Sequence, residues 1–208
     1  MIKSNLEKNI ILNKIDTFKK NVKIAHTSTL IKILPFLCAW GNLLMLHAIE
    51  TKIPNMYSLP NKDIFMRMSL VSDNYEIVNY LNTKKCMSPD ICLRYYVCAG
   101  GSDINIYNLF NNYWNAVTNT DIYSGIKNGT INILKFLNSK VTFPVRDYSR
   151  LSYEKQKYLI KNNNILNYYI EHNINNQIVL EELYERKIHN MNFLKSIIII
   201  KIFLIKII

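Results

Sequence analysis

Ser124-Gly125-Ile126-Lys127-Asn128-Gly129-Thr130-Ile131-Asn132-Ile133-Leu134-Lys135-Phe136-Leu137 is the stretch on which the fold turns. Its beginning reads as the end of one helix and Asn128-Gly129 as a tight turn. Ile131, Ile133, Leu134, Phe136 and Leu137 then form the broad apolar face of a second helix. Weaker copies lie on both sides. In the local frame of Ile133, apolar anchors recur at Met45, Ile77, Ile106, Ile133, Ile165 and Phe193, at spacings of 32, 29, 27, 32 and 28 residues. Repetition at such a period predicts an array of helical hairpins, each burying its apolar face against its neighbours.

A polar or glycine-containing break precedes each anchor: Trp40-Gly41-Asn42, Ser72-Asp73-Asn74, Gly101-Ser102-Asp103, Asn128-Gly129, Asn162-Asn163 and His189-Asn190. Residues of these types tolerate left-handed backbone or cap the next helix, so each break can reverse the chain. Eight positions before the best anchors stand Ser69, Cys98 and Gly125. Small side chains there are expected to let the two helices of a hairpin approach closely. Ser88-Pro89, Thr120 and Ser152 are start signals for first helices. Linkers over 51–62 (Pro54, Pro60) and 139–150 (Pro144) fall between hairpins, and no shift in composition marks a second domain. The chain is thus expected to be all-α. A charged amphipathic capping helix (Leu6, Ile10, Ile11, Ile15, Phe18) occupies 1–28, degenerate repeats 29–197 and an apolar tail 198–208.

Composition agrees. Among 208 residues 49% are apolar, enough for a core, while Gly and Pro number five each, which argues against a many-turned β-sandwich. The net charge of +11 suggests an acidic partner, nucleic acid or a membrane surface. Most of the excess is Lys, however, and neither an arginine-rich helix nor a glycine-aromatic nucleic-acid motif is present. Cys86, Cys92 and Cys98 sit six residues apart, and Cys38 is distant. This fits neither zinc nor redox spacing, so reduced thiols are expected. Residues 1–9 are charged and carry no apolar leader core, which with the thiols leads to an expected intracellular, cytoplasmic location. Asn128-Gly129-Thr130 is then a hairpin turn rather than a glycosylation site.

No catalytic constellation emerges. His26, His47, His172 and His189 are scattered, no phosphate-binding glycine motif or nucleophile elbow occurs, and Gly100-Gly101 reads as a helix C-cap. Glu181, Glu182 and Glu185 are expected at the start of a helix, where its dipole favours them, and Lys155, Lys157 and Lys161 on a solvated face. Neither an enzyme nor a cofactor is expected. Tyr95, Tyr96, Tyr107, Tyr113, Trp114 and Tyr123 crowd the centre of the array. Most are expected inside the stack, with Tyr113 and Trp114, in the connector before Thr120, as exposed anchors. Residues 196–208 are almost wholly apolar but interrupted by Lys201 and Lys206, and are short for a membrane span. A buried last helix is favoured over a membrane-surface segment or an altered tail.

Residues 128–137 resemble the ankyrin-repeat consensus N-G-H-L-E-I-V-K-Y-L. Ser72 to Leu81 matches its second half through Glu76-Ile77-Val78 and Tyr80-Leu81. Thr120-Asp121-Ile122-Tyr123 sits where that family has T-P-L-H. The resemblance covers roughly residues 60–140, and its style is similar to ankyrin-like proteins of large DNA viruses. The spacings are mostly shorter than the family's repeat of about 33 residues, which implies shortened or missing projecting fingers. The resemblance implies a monomeric, non-enzymatic module that engages a protein partner, a host protein if the source is viral. Binding is expected on the face formed by first helices and connectors, with Arg67, Arg94, Tyr95, Trp114 and Tyr123 as anchors. Nucleic-acid or acidic-membrane binding, the latter also through the tail, is the alternative.

Overall fold

The computed structural model describes residues 2–172, 174 and 177–189. The tail over 198–208 and the anchor Phe193 lie outside the described residues. All regular structure among the described residues is helical. The chain divides between Phe143 and Pro144 into two units, inside the linker marked by Pro144, although composition does not change there.

The first unit is a series of five hairpins: α1 (Ile2–Ile11) with α2 (Ile15–Ile24), α3 (Thr27–Trp40) with α4 (Leu43–Lys52), α5 (Asp63–Val71) with α6 (Tyr75–Thr83), α7 (Pro89–Ala99) with α8 (Ile104–Leu109), and α9 (Asn119–Asn128) with α10 (Ile131–Asn138). First helices pack in order, α1 on α3, α3 on α5, α5 on α7 and α7 on α9. Second helices do the same from α2 through α4 and α6 to α8. Leu30, Ile33, Leu34, Leu37 and Cys38 of α3 are wholly buried, since this helix has a neighbour on each side within its row and a partner in its hairpin. The single helix expected over 1–28 is two. Asn13 takes a left-handed backbone (φ 51°) and reverses the chain, so the N-terminal region is itself a hairpin.

The turns follow the expected chemistry. Asp73 (φ 53°) and Gly100 (φ 70°) supply left-handed conformations. Asn42, Asn74, Asp103 and Thr130 accept hydrogen bonds from the first-turn amides of α4, α6, α8 and α10. The same turns are tied to one another. Asn42 Nδ2 donates to Asn13 Oδ1 (2.5 Å), Asn74 Nδ2 to the Gly41 carbonyl (3.0 Å), the Ser102 amide to Asp73 Oδ1 (3.1 Å) and Asn128 Nδ2 to the Cys98 carbonyl (2.8 Å). These ties span 29, 33, 29 and 30 residues, so the repeat period reappears as a ladder along one edge of the stack.

Two local expectations change. The cap of α9 is Thr118, not Thr120. Thr118 and Asp121 form a reciprocal capping box, and Thr120 lies inside the helix. Gly125 does more than fit α9 against its hairpin partner. A Cβ there would lie 3.3 Å from Leu137 Cδ1 of α10 but only 2.6 Å from the Val97 carbonyl oxygen of α7, so the closest approach is between successive first helices.

The second unit holds α11 (Tyr153–Leu159), α12 (Asn163–Glu171) and α13 (Gln177–His189), with α13 packed on both others. Glu181, Glu182 and Glu185 lie beyond the first turn of α13, so the dipole does not explain them. Pairing does: Tyr153 and Lys157 of α11 reach across to Glu181 (2.5 Å) and Glu185 (3.2 Å), and buried Glu182 is held within α13 by Arg186, one turn on (2.8 Å). Arg186 also donates to the Lys161 carbonyl at the end of the preceding hairpin segment (2.9 Å).

Candidate functional site

The row α5, α7, α9 presents a face on which polar side chains link successive helices. Arg67, one turn along α5 from Asp63, pairs with it at 3.1 Å, and its guanidinium lies 5.1 Å from the centre of the Tyr95 ring on α7. This is a cation–π contact across two hairpins. On the next pair, Arg94 Nε of α7 meets Asp121 Oδ2 of α9 at 2.8 Å.

Asp121 is the hub. Only 6% exposed, it also accepts the Thr118 amide (2.9 Å), the Thr118 hydroxyl (2.8 Å) and the Cys98 thiol (3.1 Å). Burial alone would raise its pKa, but hydrogen bonds from Arg94, Thr118 and Cys98 outweigh that and hold it at about 2. Burial and the neighbouring carboxylate push the Cys98 thiol up to about 11. A thiol so placed stays protonated at neutral pH and is a poor nucleophile. Burial likewise raises Cys86 to about 11, Cys92 to about 12, and Cys38 further, and all four are free.

The five sequence-derived anchors therefore separate. Arg67, Tyr95 and Arg94 lie half-buried on this face, coupled in the ladder just described, and Tyr123 is half-buried on α9 two positions after Asp121. Trp114 is elsewhere. It sits in a 3₁₀ helix, Asn111–Ala116, stacked at 5.9 Å and 17° on buried Tyr107 and 6.3 Å from Phe136. Tyr107 in turn packs on Tyr96 at 4.6 Å. Trp114 is thus one ring of a packed aromatic cluster rather than an exposed anchor, and its buried indole N–H has no hydrogen-bond partner among the described residues. Its neighbour Tyr113 is 39% exposed. The connector before α9 is this 3₁₀ helix, packed back on α7.

A second polar cluster was not anticipated. Glu50 of α4 accepts Lys84 Nζ (2.8 Å), the Tyr80 hydroxyl (2.5 Å) and His47 Nδ1 (3.1 Å). Lys84 also lies over the rings of Tyr80 (4.9 Å) and Tyr57 (5.2 Å). Burial raises the Glu50 pKa, yet these donors leave it below the ordinary carboxylate value. The separations of 34 and 30 residues from Lys84 and Tyr80 match the repeat period and are the one signal by which the sequence could have revealed the tie. The cluster ties Glu50 of α4 to Tyr80 of α6 and to Lys84 just beyond it. Among the described residues, no group of His, Cys, Asp and Glu is arranged to hold a metal ion, and no helix is long and apolar enough to cross a membrane.

No family model, curated protein or solved structure matches this chain.

Proposed function

We propose that this chain is a non-enzymatic protein-interaction module built from ankyrin-like helical hairpins, binding a protein partner on the face of α5, α7 and α9. One observation carries the reading: successive first helices pack against one another and carry Arg67, Tyr95, Arg94 and Tyr123 at half-buried positions. Half-exposed arginine and tyrosine held in place by internal contacts are the residue types in which interface energy concentrates, because they desolvate a large area at little entropic cost. The free, protonated thiols suit a reducing compartment, and with it a cytoplasmic setting.

A partner capture from cell lysate, run with nuclease at low and high salt, tests this. A protein partner retained at high salt is expected, and Tyr95→Ala with Tyr123→Ala should weaken it at least tenfold. Unchanged binding in that double variant would refute the assignment of this face. The net charge of +11 favours nucleic-acid or acidic-membrane binding as the second reading. It predicts capture that nuclease or high salt abolishes, with no dependence on the tyrosines.

A further inference from the structure

We propose that the groove between α2 and α4, on the second-helix row, is a separate docking surface for an acidic amphipathic helix of a protein partner. The groove is open and of about 570 Å³. Its apolar lining comes from Val22, Ala48 and Leu44, and Lys19, Lys23 and Lys52 border it with charge. Leu44 is 54% exposed, a large apolar side chain left to solvent at one end of the groove.

The charge is one-signed. Among the described residues no carboxylate lines the groove, and no ion pair engages Lys19 or Lys23. Lys52 donates to the carbonyls of Val22 (2.9 Å), Lys23 (2.7 Å) and Ala25 (2.7 Å). Its ammonium is therefore fixed at the C-terminal end of α2 while its positive charge stays at the rim. His47, also lining the groove, faces Glu50, whose carboxylate is already held by Lys84 and Tyr80. Asp16, one turn before Lys19 on α2, is the remaining acid on these two helices.

An apolar trough between two helices of one row takes the apolar stripe of a third helix, the geometry of helix-in-groove recognition. A lysine rim selects glutamates or aspartates flanking that stripe, and like charges exclude a basic helix. The apolar lining offers nothing to a phosphate backbone, which distinguishes a peptide helix from nucleic acid. This surface is independent of the α5–α7–α9 face, and its test does not involve the residues of that face.

The test uses the full chain and fluorescence anisotropy with a labelled Glu/Leu peptide of about 15 residues, long enough to form a helix when docked, its leucines at helical spacing. Saturable binding is expected, weakened at least tenfold by Lys19→Glu with Lys23→Glu and also weakened by Leu44→Ser at a 54% exposed position, with the parent far-UV circular dichroism spectrum expected for each variant. Polyglutamate of equal length should bind at least tenfold more weakly than the peptide. The proposal is overturned if the peptide does not bind, if polyglutamate binds as well, or if Lys155→Glu with Lys161→Glu weakens binding as much as the groove reversal. It is also overturned if a single-stranded oligonucleotide, but not the peptide, binds in dependence on Lys19 and Lys23.

Discussion

Replacing Gly100 by alanine tests the stacking of the turns more sharply than any other change. Gly100 ends α7 at φ 70°, where an L side chain costs about 1–2 kcal/mol. A Cβ at this position would also lie 2.3 Å from the Gly129 nitrogen and 2.6 Å from the Asn128 carbonyl carbon, backbone of the next turn that cannot swing aside as a side chain would. Overpacking of that kind costs about 1–3 kcal/mol, against about 0.4–1 kcal/mol recovered by stiffening the unfolded chain. Gly100→Ala should therefore lose about 2–4 kcal/mol. In urea, with a slope of about 2 kcal/mol per molar, the midpoint read by far-UV circular dichroism should fall by about 1–2 M. Gly100→Asn separates the two causes, because asparagine tolerates left-handed backbone but still carries a Cβ. If contact with the Asn128-Gly129 turn dominates, Asn is nearly as harmful as Ala; if backbone conformation dominates, Asn recovers most of the loss. A midpoint for Gly100→Ala within about 0.2 M of the parent would refute the claim that successive turns are in backbone contact.

Three further outcomes are expected. Asn74→Ala removes both the cap of α6 and the donor to the preceding turn and should cost about 1–2 kcal/mol. Asn74→Asp, which keeps an accepting oxygen but loses the donor, should cost less, and equal urea midpoints for the two would dismiss the inter-turn bond. Trp114→Ala should lower stability by about 2–3 kcal/mol, near the low end for a large aromatic because the side chain is only half-buried, while Tyr113→Ala should change it by less than about 0.5 kcal/mol; thermal melts compare them directly. Asp121 has a folded pKa of about 2, below its ordinary 3.8, so its contribution is complete above that ordinary value and is lost as pH falls toward 2. Urea midpoints taken from pH 6 downward should show this decline, and Asp121→Asn should flatten it.

Legibility differed by the range of the interaction. The Asn128-Gly129 break, the Ser88-Pro89 start of α7 and the Gly100 C-cap were visible because caps and turns are decided within a few residues. The Thr118–Asp121 box was equally local but lay two residues before the threonine that the repeat frame singled out. Trp114 was misplaced for a different reason. Its connector position suggested exposure, yet exposure there depends on whether the 3₁₀ helix folds back on α7, which no local pattern encodes.

The sequence by itself determined that the chain is helical, where most hairpins reverse, and that they recur at nearly constant spacing. Apolar periodicity and capping residues act within one or two helical turns, and each repeat carries its own copy. Only the tertiary structure decided which partners the polar side chains meet across repeats: Arg67 the Tyr95 ring, Arg94 the Asp121 carboxylate, Glu50 the Lys84 ammonium and Asn74 the Gly41 carbonyl. It also decided that residues 2–24 form a hairpin of their own and that, among the described residues, a groove lined by three lysines opens between α2 and α4. Those pairings span 27 to 34 residues. They depend on how far each helix rotates about its axis when it stacks, a quantity set by the summed packing of the whole row rather than by any one segment.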